Sequence, residues 1–134
     1  MIDIKKLKSI ASNLNVLYVE DDLEIQNLMA QYLKKNFFTV VNADNGLEGL
    51  QKYKKEKFDI VITDLSMPIM NGVEMLKEIK EINIEQSIII TSAHAKTNSS
   101  FDLTNINIDG YITKPFNWEQ LNNELYKVIN NINK

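Results

Sequence analysis

The sequence predicts a doubly wound α/β fold in which five parallel strands alternate with helices. Short apolar runs typical of buried strands recur along the 134 residues, and helical spacing of apolar residues follows each run. Such alternation favours a parallel sheet with helices on both faces and right-handed crossovers. Neither an internal repeat nor a low-complexity tract divides the chain. We therefore expect one domain over residues 15–134, preceded by a helical extension over residues 1–14.

The predicted strands are short and rich in β-branched residues. The third strand begins at Ile60 and ends at Asp64, where a Met-Pro pair and then Asn71-Gly72 provide turn signals. The same kind of apolar run, bounded by turn residues, predicts the other four strands over residues 16–19, 37–41, 88–90 and 111–113.

The predicted helices each have one apolar face. The helix after the first strand is the clearest, with apolar residues at Ile25, Leu28, Met29, Tyr32 and Leu33. The others are predicted over residues 1–14, 47–55, 73–82, 96–107 and 118–132. The segment 96–107 has the weakest pattern because it is rich in Asn and Ser, and we expect it to be mobile. For residues 1–14 we favour a short helix that packs on its own domain or frays, over a connector to an upstream module or a dimer contact.

Composition excludes several classes of function. Fifteen basic and eighteen acidic side chains give a net charge of −3 and a pI near 5.2, which does not favour binding to nucleic acid. The chain has no Cys and therefore no disulfide or thiolate metal site. No apolar run approaches the length of a membrane span, and the first residues lack the apolar core of a signal peptide. We expect a soluble, cytoplasmic domain without membrane or nucleic-acid partners.

Polar side chains occur where the predicted strands end. In a parallel sheet these positions meet at one edge: Glu20, Asp21, Asp22, Asp64, Thr91, Ser92 and Lys114. Several carboxylates at close range favour binding of a cation, and a hard divalent ion such as Mg²⁺ or Mn²⁺ suits oxygen ligands. Without the metal, at least one carboxyl pKa should be raised. Asp22 could instead be an ordinary helix N-cap.

Four stretches, in this order, resemble the receiver domain of two-component response regulators. They are VLYVEDD (16–22), DIVITDLSMPIMNG (59–72), TSAHA (91–95) and DGYITKPF (109–116). The resemblance extends over nearly the whole chain from about Asn15. It implies a flavodoxin-like (βα)5 fold and a Mg²⁺-dependent phosphorelay, in which a histidine kinase or phosphotransfer protein is the partner. Glu20 in place of the commoner Asp, and Ser92 in place of Thr, are the main departures.

The resemblance also implies a role for each site residue. Asp64 would be the phosphoacceptor. The metal would be held by Glu20, Asp21, Asp64 and the backbone carbonyl of Ser66, with Glu20 more often acting through water. The residues expected to bind the phosphoryl group or respond to it are Ser92, with Thr91 as the alternative, Lys114 and Tyr111. The residues expected to tune the phosphoryl lifetime are Ser66 and His94. Phosphorylation would switch the face formed by the fourth helix, fifth strand and fifth helix of the (βα)5 unit, where a homodimer could form.

Three other functions fit the sequence less well. An enzyme with an aspartyl-phosphate nucleophile and an external substrate would favour a second acid two residues after Asp64, where Ser66 stands. A flavodoxin-like cofactor binder would place phosphate beside the acidic residues 20–22, which would repel it. A docking domain without phosphorylation is disfavoured because no residue of the signature is missing. The sequence specifies neither the cognate kinase nor the output, and it fits a stand-alone receiver or a piece of a longer protein.

Overall fold

The fold is a five-stranded parallel sheet with helices on both faces. The computed structural model of the protein describes residues 4–93 and 102–133. The strands are β1 (Asn15–Val19), β2 (Thr39–Ala43), β3 (Ile60–Asp64), β4 (Ser87–Ser92) and β5 (Gly110–Thr113). They are arranged in the order β2-β1-β3-β4-β5, and all four neighbouring pairs are parallel. The predicted doubly wound α/β fold is confirmed.

Five helices surround the sheet in the described ranges. They are α1 (Ile4–Ala11), α2 (Leu23–Lys34), α3 (Gly46–Lys55), α4 (Gly72–Ile82) and α5 (Trp118–Ile132). Each of the last four is preceded by a residue whose side chain accepts backbone N–H bonds: Asp22, Asn45, Asn71 and Asn117. These caps fix the points at which the loops from the strands become helices. None of these five helices combines the length and apolar character needed to cross a bilayer.

The core consists of two apolar layers, one on each face of the sheet. Successive strand residues point to opposite faces, so that Ile60 and Ile62 belong to one layer and Val61 to the other. The first layer includes Leu7 and Ala11 of α1, both fully buried, together with the apolar face of α5. The N-terminal helix therefore packs on its own domain.

The second strand begins two residues later in the structure than predicted. β2 is Thr39–Ala43, whereas residues 37–41 were predicted. The backbone N–H of Phe37 still bonds the carbonyl of Leu33 at 2.9 Å, so this residue belongs to the turn that follows α2. The strand can begin only after the chain has left that turn.

The predicted helix over residues 96–107 is wrong for residues 102–107, which form a short turn flanked by irregular backbone. The carboxylate of Asp102 accepts the backbone N–H of Thr104 at 3.0 Å, and the N–H of Ile106 bonds the carbonyl of Leu103 at 3.1 Å. A local side-chain bond of the first kind competes with helical backbone bonding. The remainder of this predicted helix, and the mobility expected of it, fall largely outside the described residues.

Candidate functional site

Three carboxylates meet at the carboxyl edge of the sheet. Glu20 follows β1 directly, Asp21 comes next, and Asp64 ends β3. One carboxylate oxygen from each lies within 4.8 Å of the others. Glu20 is fully buried, whereas Asp21 is exposed and Asp64 is half-buried. The parallel pairing of β1 with β3 therefore creates a carboxylate cluster (Glu20, Asp21 and Asp64) that is open to solvent on one side.

Lys114 lies directly beside the carboxylate cluster. Its Nζ donates to Oε1 of Glu20 at 2.7 Å and to Oδ2 of Asp64 at 2.9 Å, and only 14% of its side chain is exposed. The backbone N–H of Lys114 bonds the carbonyl of Ser92 at 2.8 Å, so the lysine continues the pairing of β4 with β5. Among the described residues, Lys114 is the ammonium paired with this cluster. One positive charge for three carboxylates leaves an excess of negative charge.

The burial of Glu20 dominates the electrostatics of the site. Burial raises the pKa of Glu20 against the opposing effect of hydrogen bonds from Lys114 and from the backbone of Asp22, and the charge of Asp64 raises it further. Burial also acts to lower the pKa of Lys114, but its bonds to Glu20 and Asp64 outweigh that effect and the pKa is raised. The predicted rise in a carboxyl pKa is confirmed, although burial contributes more to it than repulsion between the acids.

The loop between β3 and α4 is folded tightly against the acidic site. Oδ1 of Asp64 accepts the backbone N–H of Leu65 at 2.7 Å, and the N–H of Gly72 bonds the carbonyl of Leu65 at 2.8 Å. A Cβ on Gly72 would lie 2.2 Å from the backbone oxygen of Asp64, so only glycine fits this approach. Ser66 is exposed on the same loop. The backbone around Asp64 is thereby fixed on both sides.

The same loop contains a strained residue. Ile69 has a φ of 71°, and it is the one non-glycine residue with positive φ in the described ranges. The left-handed region is unfavourable for a β-branched side chain, because the Cβ approaches the backbone closely. The side chain is also 77% exposed and so gains little from packing. Strain of this kind is typical of functional loops.

Comparison with known proteins agrees with this geometry. The family model of the response regulator receiver domain matches residues 16–126. The chain belongs to the response regulator receiver domain family. It is 34% identical over 116 residues to the chemotaxis protein CheY of Bacillus subtilis, covering 86% of this chain and 97% of that protein.

Solved structures of receiver domains have the same fold. One from Methanospirillum hungatei has a TM-score of 0.82 and 27% identity, covering 91% of this chain and 98% of the other. The response regulator TrrA of Thermotoga maritima, crystallised in complex with Mg²⁺–BeF, has a TM-score of 0.75 and 29% identity, covering 86% and 98%. Helix α1 precedes the residues that match the family model.

The two hydroxyl residues predicted as candidates for binding the phosphoryl group, Thr91 and Ser92, are the last two residues of β4. Thr91 pairs in register with Asp64 on β3; it is fully buried, and its Oγ1 has no hydrogen-bond partner among the described residues. Ser92, one residue later, is half-buried at the carboxyl edge. Tyr111 on β5 is half-buried, and its backbone N–H donates to Oε1 of Glu124 at 3.1 Å. His94 lies outside the described residues.

The carboxylate cluster of the receiver domain suits a hard divalent cation. Its three donor side chains offer only oxygen atoms, the ligands that Mg²⁺ prefers, and their combined charge exceeds that of Lys114. Asp22 is not part of the cluster. Its Oδ1 accepts the backbone N–H groups of Glu24 and Ile25 at 3.0 and 3.2 Å, which makes it the ordinary N-cap of α2.

Gln26, which was not among the predicted site residues, lies behind the acidic turn of the receiver domain. This residue is buried in α2, and its amide donates three hydrogen bonds around the ends of β1 and β2. It is the polar member of a buried helical face that otherwise contains Met29, Ala30 and Leu33. A polar residue in the apolar stripe of α2, one turn after the acids, was the signal that could have identified it.

Proposed function

We propose that this receiver domain accepts a phosphoryl group on Asp64 and thereby switches a signalling surface. The observation that carries the proposal is the bond of 2.9 Å from Lys114 to Oδ2 of Asp64, within the carboxylate cluster at an open edge of the sheet. The phosphoryl donor would be the phosphohistidine of a histidine kinase or a phosphotransfer protein. A half-buried carboxylate beside a cation is well suited to receive it.

The transfer itself needs a nucleophile and charge neutralisation rather than acid–base catalysis. A carboxylate oxygen of Asp64 attacks the phosphorus and forms a P–O bond. The P–N bond to the histidine breaks, and its electron pair remains on the imidazole nitrogen. Lys114, which already contacts Asp64, would pair with an oxygen of the transferred group. Attack by water on the same phosphorus later releases inorganic phosphate and resets Asp64.

Glu20, Asp21, Asp64 and the backbone carbonyl of Ser66 would hold Mg²⁺ or Mn²⁺ beside the acceptor. When bound, such an ion would neutralise charge on the phosphoryl oxygens. Asp21, the exposed member of the cluster, would contact the ion directly, while the fully buried Glu20 would act through water. The crystal structure of the similar response regulator TrrA in complex with Mg²⁺–BeF supports the proposal of a Mg²⁺ site.

The response to phosphorylation would pass through Ser92 and Tyr111. Movement of Ser92 towards the phosphoryl group would let Tyr111 change its rotamer and repack the face that includes β5 and α5. Partner binding or homodimerisation would use this face. Ser66 and His94 would tune how long the phosphoryl group persists.

Acetyl phosphate tests the assignment of Asp64. With Mg²⁺ present, the acceptor oxygen displaces acetate, and intact-mass measurement should detect one added phosphoryl group on the wild type and none on Asp64→Asn. Asp59→Asn is a matched control because Asp59 lies directly before the first residue of β3, whereas Asp64 is its last residue. This control should be labelled like the wild type. Equal labelling of the wild type and Asp64→Asn would overturn the proposal.

Hydrogen exchange tests the proposed switch. Exchange rates with and without phosphorylation should differ mainly in residues 92–116, which include Ser92, Lys114 and Tyr111. Changes confined to residues 45–56, on the opposite face of the sheet from α5, would contradict a response through β5 and α5.

A further inference from the structure

We infer that Gln26 is a positioning residue for the metal site, because its amide fixes the acidic turn after β1. This inference rests on the proposed function, since it concerns the residues that would hold the cation. Gln26 is 7% exposed and lies in the first turns of α2. Its amide donates to neither the carboxylate of Asp21 nor that of Asp64, so its effect on the metal would pass through the backbone and the neighbouring loop.

The amide of Gln26 joins three acceptors. Its Nε2 donates to the backbone carbonyl of Glu20 at 2.8 Å, to that of Ala43 at 3.1 Å, and to Oδ1 of Asp44 at 2.9 Å. An amide nitrogen carries two hydrogens, so two of these acceptors share one of them. Every acceptor lies just after β1 or at the end of β2. Gln26 therefore connects the acidic turn to the adjacent loop.

These bonds fix the backbone from which the acidic side chains of Glu20 and Asp21 extend. The N–H of Glu20 bonds the carbonyl of Ala43 at 3.0 Å, while the carbonyl of Glu20 is held by Gln26. Both peptide groups that flank the Cα of Glu20 are thus fixed. The second of them also contains the nitrogen of Asp21, so the direction of the next side chain is constrained as well.

The charge of the turn explains why such a constraint is needed. Residues 20–22 are all acidic, and repulsion between neighbouring carboxylates favours backbone conformations that separate them. A cation requires the opposite arrangement, with carboxylate oxygens close together. A buried amide that bonds the backbone opposes this separation without adding a charge. Groups that orient ligands from behind typically alter metal affinity 10- to 100-fold when they are lost.

Gln26→Met tests this role, because Met has a similar length and donates no hydrogen bond. The chain offers a matched control in Gln86→Met. Gln86 is also buried, and its amide donates to the carbonyls of Asp59 and Ser87 at 3.2 and 3.3 Å, but at the opposite edge of the sheet. We expect both variants to lose stability in urea unfolding. Only Gln26→Met should bind Mg²⁺ about tenfold more weakly in a calorimetric titration.

A measurement in EDTA provides a readout that does not depend on the metal. The amide hydrogens of Asp21 and Asp22 should exchange faster in Gln26→Met than in the wild type, and at the wild-type rate in Gln86→Met. If both variants lose similar stability while binding Mg²⁺ and exchanging these amides like the wild type, Gln26 is only a structural residue. Absence of Asp64 labelling in the wild type would instead refute the proposed function, so the two failures are distinguishable.

A second pair of variants decides the matter if Gln26→Met does not fold. Asp44 is exposed, so its replacement leaves the core intact. Asp44→Ala removes an acceptor of the Gln26 amide, whereas Asp44→Asn removes the same charge and keeps an acceptor. Weaker Mg²⁺ binding by the Ala variant than by the Asn variant supports the role of Gln26. Equal affinities overturn it.

Discussion

The two edges of the sheet use carboxylates in opposite ways. At the amino edge, Oδ2 of Asp59 accepts the backbone N–H of Asn15 at 2.7 Å, and Oδ2 of Asp109 accepts that of Ile88 at 2.8 Å. Each pair is closed by a return bond, because the N–H of the aspartate donates to the carbonyl of its partner. At the carboxyl edge, the three members of the carboxylate cluster face one another and Lys114.

The lysines of the two edges also differ in the groups that they bond. Nζ of Lys80, at the amino edge, donates to the backbone carbonyls of Ile84 and Gln86 at 3.1 and 2.8 Å. Burial lowers the pKa of Lys80, and Asp109 acts in the opposite direction. Lys114 instead bonds two carboxylates. The amino edge therefore satisfies backbone groups and stabilises the fold, whereas the carboxyl edge holds charges that favour a further ligand.

The largest effect should come from removing the ammonium of the carboxyl edge. Lys114→Met leaves the fully buried Glu20 without its opposite charge, and loss of one partner from a buried pair typically costs about 3 kcal/mol or more. Urea unfolding in EDTA at pH 7 should show this decrease. Lys80→Met should cost only about 1 kcal/mol, because it loses bonds to backbone carbonyls.

A double variant checks the cause of that loss. Glu20→Gln combined with Lys114→Met removes both charges and should recover most of the stability, because no unpaired buried charge remains. If the double variant is as unstable as Lys114→Met alone, loss of packing rather than loss of charge is responsible.

The same substitution at the two edges should change stability in opposite directions. Asp109→Asn weakens a charge-assisted bond to a backbone N–H and should lower the free energy of unfolding by about 1 kcal/mol. Asp64→Asn removes one of three clustered negative charges and should raise the melting temperature in EDTA. Thermal melts of the two variants beside the wild type test the comparison directly. A decrease for both would mean that Asp64 is a structural partner like Asp109.

Glu20 should give the carboxyl edge a pH dependence in the metal-free protein. Its folded-state pKa is raised above the ordinary value of 4.5, chiefly by burial, so the folded state binds a proton more readily than the unfolded chain. Stability due to Glu20 therefore increases as the pH falls through the raised pKa towards 4.5. The contribution of Lys114, whose pKa is raised from 10.5, is lost only in the alkaline range above that value.

Comparison with Glu20→Gln isolates this contribution. The free energy of unfolding of the wild type, minus that of the variant, should increase between pH 7 and pH 4.5 in EDTA. Urea unfolding at intermediate pH values measures the difference. A constant difference, or one that decreases towards acid, would contradict the raised pKa.

The smallest effect concerns the loops at the two edges. Ile69→Asn should raise the free energy of unfolding by about 0.5–1 kcal/mol, because Asn tolerates the left-handed backbone at this exposed position. Ile84→Asn is the matched control at the amino edge, where the side chain is 78% exposed and φ is not positive. It should change stability by less than about 0.5 kcal/mol. Equal effects would show that exposure, rather than backbone strain, determines the result.

The residues of the carboxyl edge could be predicted because they lie in short sequence motifs. A polar residue ends or directly follows each strand there, and parallel strands bring such ends together whatever their exact register. The fold could be predicted for the same reason, because the apolar periodicity of each strand and helix is also a local pattern. An N-cap was the alternative role that the sequence allowed for Asp22, and the structure places Asp22 in that role.

The amino edge could not be predicted, because it depends on contacts between distant residues. The partners of Asp59 and Asp109 lie 44 and 21 residues away, and in the sequence both acids resemble ordinary turn residues. Gln26 is a similar case, with acceptors 17 and 18 residues distant. The absence of the predicted helix at residues 102–107 has a local cause. The carboxylate of Asp102 accepts bonds from Thr104, and such local bonds compete with a helix where the helix formers are weak.

The packing of α1 against α5 has a consequence for synthesis of the protein. The two helices are separated by roughly 100 residues. At about 5–20 residues per second, the ribosome completes α1 some 5–20 s before it begins α5. During this interval Leu7 and Ala11 lack the helix that covers them in the folded domain. Substitutions that enlarge the apolar face formed by Leu7 and Ala11 would therefore act first on the nascent chain, where this face is still uncovered.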